Sequence, residues 1–218
     1  MDGEGDTMMT HDSEIQYIVE PIITMIIFYW IIIMSWLAFL GYWAIAAIGI
    51  KKDVTKGIWW GNQVYIIRIR LIAAVIVILL VIARFSSINH FFAYRPGAMG
   101  NVVAEIGAML CALGIALAIW ARFHLGKNWS SHPALKENHE LITSGPYRFV
   151  RHPIYTGILF AELGTMLAIG YVWLIPLIFG VIVFVRRVSI EERMMMNQFP
   201  NTYPAYKRHT KALIPFVW

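Results

Sequence analysis

Apolar residues in this chain come in long blocks separated by short polar stops, with little alternation. Residues 21–50, PIITMIIFYWIIIMSWLAFLGYWAIAAIGI, contain no charged side chain. A hydrocarbon core of about 30 Å needs roughly 20 apolar residues, so this run predicts a first helix that is tilted, overhangs the bilayer or breaks near Gly41. After the stop at Lys51-Lys52-Asp53, a second span is predicted from about Val64 to Ala83, with Arg68 and Arg70 near enough to its start to reach the interface. A third is predicted over about Asn101 to Trp120. Two shorter runs, 154–170 and 171–188, meet at Gly170-Tyr171; one helix through both would be about 52 Å long, so they predict a tight helical hairpin.

The expected fold class is therefore all-α: an integral membrane bundle of about five transmembrane helices with a C-terminal helical hairpin. Residues 1–20 read as an acidic mobile tail, 21–120 as three spans, and 121–218 as a loop, the hairpin and a C-terminal segment, all within one integral domain. Composition agrees, with 59% hydrophobic and 14% charged residues among 218. The six acids among the first twenty residues, with no Lys or Arg, are the wrong charge for the start of a secretory signal. A single cysteine, Cys111, excludes an intrachain disulfide framework. With the amino terminus outside, sixteen of the eighteen Lys and Arg fall on one side and only Arg84 and Arg95 on the other, which makes that side cytoplasmic.

Chemistry concentrates at two places on that side. In GPYRFVRHPIYTG, residues 145–157, Pro153 suits the first position of a helix, whose free N–H groups on Ile154 and Tyr155 favour an anion, with His152 beside them. In RRVSIEER, residues 186–193, Arg187 and Glu191 are four apart and can pair along a helix, with Arg186 and Glu192 nearby. Taken singly, the first cluster also fits a juxtamembrane basic and aromatic belt, and the second a solvated helix end; the topology brings them to one face. Glu162, midway along the fourth run, is a carboxyl in hydrocarbon, either protonated or bonded to a neighbouring helix, and a structural role is the leading expectation for it. His124, His132, His139 and His152 show no metal-ligand spacing, so no metal is expected, and no GxGxxG or P-loop is present. Topology accounts for the basic excess without nucleic acid.

The ordered combination GPYRxxRHPxYxG, then EE, then YxxY and Pro215, together with HELITS ahead of it, resembles the isoprenylcysteine carboxyl methyltransferase family, grouped with the phospholipid methyltransferases. The resemblance covers roughly Leu125 to Pro215. It implies an S-adenosylmethionine-dependent membrane enzyme with a cytoplasm-facing cofactor pocket roofed by the C-terminal segment, and a lipidated or amphipathic substrate entering sideways between helices. Carried over residue by residue, it implies cofactor contacts at His139, Glu140, Leu141, Ile142, Tyr147, His152, Pro153, Ile154, Tyr155 and Glu191, more weakly at His132, and a substrate-carboxylate contact at Arg187. Where many members have Phe-Gly, this chain has Phe199-Pro200, which predicts a stop or kink there. The leading expectation is O-methylation of a prenylated cysteine or similar acid. Lipid-amine N-methylation is the alternative, with Glu191, Glu192 or a histidine as base; an NADPH-dependent sterol-reductase-like enzyme and a scaffold without turnover are more distant. The implied membrane is the cytoplasmic membrane in a prokaryote or the endoplasmic reticulum in a eukaryote.

Overall fold

The computed structural model describes residues 11–46, 98–129 and 140–214. Five α-helices lie within them: α1 His11–Ala46, α2 Ala98–Leu125, α3 Pro153–Ile169, α4 Leu174–Gln198 and α5 Tyr203–His209. Short 3-10 turns cover Gly126–Asn128, Gly145–Arg148 and Tyr171–Trp173. No strand occurs among the described residues; one isolated bridge pairs Val150 with Lys211. Among the described residues, three helical stretches are long and apolar enough to cross a membrane, Ile23–Ala46, Asn101–Asn128 and Tyr171–Gln198, with Pro153–Ile169 a shorter apolar helix. The all-α membrane bundle expected from the blocks is thus observed, while the expected span at 64–83 lies outside the described residues.

Two boundaries differ from expectation. The segment expected as a tail up to residue 20 is helical from His11. The helix is continuous through Gly41, so the break is ruled out. Arg122, expected in a polar loop beginning at 121, is instead in the last turn of α2 and only 3% exposed. Its Nη2 donates to the Ala46 carbonyl at 2.5 Å and its Nη1 to the Gly126 carbonyl at 2.8 Å, while its guanidinium lies 4.6 Å from the centre of the Trp129 ring. A cation at a helix C-terminus satisfies carbonyls that have no partner within the helix. The hairpin forms as expected, turning at Gly170, whose φ of 136° suits glycine.

Helices α2 and α3 pack backbone against backbone. Gly107, Cys111, Gly114 and Ala118 of α2 face Gly157, Ala161, Gly164 and Ala168 of α3, with four-three-four spacing on both. A Cβ built at Gly164 would lie 2.4 Å from the Gly107 carbonyl oxygen and the Cys111 nitrogen. Helix α1 joins this pair through Ile32, which packs with Ala108, Cys111, Ile115 and Ala161. Trp36 Nε1–H donates to the Thr165 hydroxyl at 3.1 Å, and that hydroxyl donates to the Ala161 carbonyl at 2.7 Å. Trp30, Leu37 and Leu40 are exposed among the described residues, as on a helix facing hydrocarbon.

Substitution of Gly164 by Val is expected to force α2 and α3 apart, because backbone atoms cannot yield as a side chain would. The expected loss is at least about 1–3 kcal/mol, measured as a lower thermal midpoint of the detergent-solubilised protein, whereas Gly41→Ala, with open space around it, leaves the midpoint unchanged.

Candidate functional site

The ends of α1, α2 and α4 and the start of α3 meet at one end of the bundle. There Ala121, Tyr147 and Ile154 form a buried cluster with Trp43, Leu125, Trp129, Ile142 and Tyr155 around it. Pro153 occupies the first helical position of α3, as its fixed φ predicts, and is buried. The backbone of Arg151 and His152 is held by the chain after α5: Arg151 N–H donates to the Lys211 carbonyl at 2.8 Å and His152 N–H to the Ala212 carbonyl at 3.0 Å. Thr156 Oγ1 donates to the Leu213 carbonyl at 2.7 Å, and Tyr206 OH to the Tyr147 carbonyl at 2.6 Å. The C-terminal segment therefore lies across the start of α3.

Three of the residues singled out from the sequence converge on a fourth, Glu191. Tyr155 OH donates to its Oε1 at 2.5 Å, Arg187 Nη2 lies 3.3 Å from the same oxygen, and His152 Nδ1 lies 3.4 Å from Oε2. The Tyr155 ring is stacked between His152 and Phe184, at centroid distances of 5.6 Å and 4.6 Å, with the Arg187 guanidinium 5.5 Å from its centre. The expected pairing of Arg187 with Glu191 one helical turn apart is present. Ile154 is buried beneath this group and Tyr147 is 6% exposed. Leu141 and Ile142 are half-buried on the approach, and Glu140 is exposed. His132 and His139 lie outside the described residues.

Glu192 points elsewhere. Its Oε1 takes Arg151 Nη2 at 2.6 Å and Nε at 2.7 Å, and its Oε2 takes Lys207 Nζ at 2.6 Å. Arg151 also donates to the carbonyls of Lys207 (3.2 Å) and Thr210. A carboxylate held by two cations is a poor proton acceptor, so the sequence-based option of Glu192 as a base is replaced by a role in fastening the C-terminal segment. Reading the sequence missed this use of Arg151, Lys207 and Tyr206; the Arg preceding His-Pro and the second Glu of EE were the available signal. At Phe199, α4 ends with φ −124° and Pro200 follows outside the helix, as expected of a proline.

Burial alone would lower the His152 pKa, but the Glu191 and Glu192 carboxylates outweigh it and hold it above its ordinary 6.5. The stabilisation from its imidazolium is complete below about 6.5 and fades as pH rises through the elevated folded value. Thermal stability is therefore expected to fall on raising pH above 6.5, with a flatter profile in His152→Gln. Glu192→Gln is expected to cost about 3–5 kcal/mol by leaving Arg151 buried without its anion. It should increase hydrogen exchange at 203–214, whereas Lys207→Ala, at the exposed end, costs at most about 1 kcal/mol.

Residues 105–197 match the family model of the isoprenylcysteine carboxyl methyltransferase (ICMT) family. Protein-S-isoprenylcysteine O-methyltransferase of Schizosaccharomyces pombe is 32% identical over 136 residues, 60% of this chain and 53% of that protein. Cobalt-zinc-cadmium resistance protein CzcN of Cupriavidus metallidurans is 30% identical over 128 residues, 53% of this chain and 52% of that protein. The chain spans about half the length of these curated relatives. A solved structure of the eukaryotic intramembrane Ras methyltransferase ICMT shares the fold with a TM-score of 0.53 and 23% identity, over 73% of this chain and 55% of that one. From Glu105 to Asn197, through the α2–α3 pair, the RHP turn and the Glu191 cluster, the resemblance to the isoprenylcysteine carboxyl methyltransferase family thus holds.

Proposed function

We propose that this chain is an S-adenosylmethionine-dependent membrane methyltransferase that O-methylates the carboxylate of a prenylated cysteine or a similar amphipathic acid, with its site facing the cytoplasm. The observation that carries this reading is the convergence of Tyr155, Arg187 and His152 on Glu191 at the end of the bundle where α3 begins. The residues suit the cofactor. The Glu191 carboxylate attracts a sulfonium, and His152 Nε2 is a buried ring nitrogen that makes no hydrogen bond among the described residues, with Glu192 Oε1 3.7 Å away. Bound there, the cofactor supplies a methyl group on a positively charged sulfur.

The chain's own work is alignment and exclusion of water. A carboxylate of ordinary pKa, about 4, is already ionised at neutral pH, so the acceptor needs no base. Arg187 offers a planar fork to both acceptor oxygens, and Glu191 holds that fork in place from one turn away. The C-terminal segment, strapped to α3 through Thr156, Arg151 and His152, covers the site and keeps water from the electrophile. For a lipid amine, the same guanidinium would oppose a protonated headgroup, which favours the acid as acceptor.

The test is methyl transfer from labelled S-adenosylmethionine to farnesylcysteine acid by the purified full chain in lipid nanodiscs, scored as base-labile ester. Arg187→Lys is expected to reduce kcat by about 10²-fold while cofactor affinity changes less than about threefold. Glu191→Gln should weaken cofactor binding more than it lowers thermal stability. Equal turnover of wild type, Arg187→Lys and Arg187→Ala on the acid would remove Arg187 from the acceptor site and move the lipid amine into first place.

A further inference from the structure

Glu162 follows Tyr155 by seven residues in α3, which places it on the same helix face two turns, about 10 Å, deeper in the apolar bundle. Its Oε2 is buried and has no hydrogen-bond partner among the described residues. It faces Gly180 of α4, where an added Cβ would lie 2.5 Å from that oxygen. Phe184 and Arg187 follow Gly180 by one and two turns on α4 and meet Tyr155. The α3–α4 seam therefore has two polar stations. The upper one is Tyr155, Arg187 and Glu191; the lower one is a carboxyl set against a glycine, with apolar residues between.

A carboxyl in hydrocarbon is costly unless it faces a partner or a ligand path, and an acceptor oxygen buried without a donor forfeits hydrogen bonding it would have in water. Resting on the methyltransferase reading above, we propose that Glu162 is a second polar contact for the methyl acceptor, selecting amphipathic acids whose tail carries a hydroxyl about 10 Å from the methylated atom. A hydroxyl fits better than an ammonium, because a neutral carboxyl and a hydroxyl each donate and accept, whereas an ion pair would have to be desolvated at this depth. A purely hydrocarbon tail leaves Oε2 without a partner and is disfavoured for that reason.

The experiment compares N-acetyl-S-dodecylcysteine with a matched series bearing one hydroxyl at successive chain positions, using the full chain in lipid nanodiscs. Binding is read by thermal shift, and turnover by labelled methyl transfer. Wild type is expected to prefer one hydroxylated member over the plain acid by at least about tenfold in kcat/KM and to bind it more tightly. Glu162→Leu should invert that preference, and Glu162→Gln should keep part of it, since an amide still accepts and donates. Gly180→Ala leaves the carboxyl in the protein but displaces its flexible end, so the preference should shrink in a folded protein. No hydroxyl preference at any position in wild type, or wild-type preference retained in Glu162→Leu, overturns the assignment. Methyl transfer without preference defeats this inference alone; preferential binding without methyl transfer defeats the methyltransferase reading alone.

Discussion

Where α2 crosses α3, no side chain larger than a methyl or a thiol separates the two backbones, and Gly107 and Gly114 rest against Gly164 and Gly157. Lipid tails are as apolar as leucine, so helices in a membrane gain little by burying large hydrophobes against each other; close backbone contact and hydrogen bonds are what favour association. This pair sets the azimuth of α3. With the glycine face turned to α2, Thr165 turns to Trp36 of α1, and Tyr155 and Glu162 turn to α4. The chemistry at the mouth of the bundle depends on that rotation.

Two adjacent carboxylates then divide the labour of the site. Neighbouring residues on a helix point about 100° apart, so Glu191 and Glu192 cannot serve the same set of partners. Glu191 faces the group that includes Tyr155, Arg187 and His152, while Glu192 collects Arg151 and Lys207 and so fastens α5 and the residues after it. His152 touches both, with Nδ1 3.4 Å from Glu191 and Nε2 3.7 Å from Glu192. The imidazole couples the cover to the site, and its charge depends on both acids.

Much of the site was legible because its residues lie in two short, dense motifs, and helical spacing fixes which neighbours can meet within each. Arg187 and Glu191 are four apart, and Pro153 starts a helix whether or not anything else is known. What spacing could not supply is the partner across helices. Arg122 read as a loop cation, and the open carbonyl of Ala46, contributed by a helix far away in sequence, is the partner that spacing could not supply. Glu162 read as a structural carboxyl bonded to a neighbouring helix, and only the packing of α3 on α4 sets it against Gly180.

By itself, the order of apolar blocks and polar stops determined a helical membrane protein with a hairpin turning at Gly170, because hydrocarbon leaves the backbone no alternative to internal hydrogen bonding. Composition and motif also determined where the polar chemistry is concentrated. Only the tertiary structure decided which carboxylate faces the candidate site and which holds its cover. Both glutamates carry the same charge on the same helix, and their difference arises from the directions in which α3 and the C-terminal segment approach them.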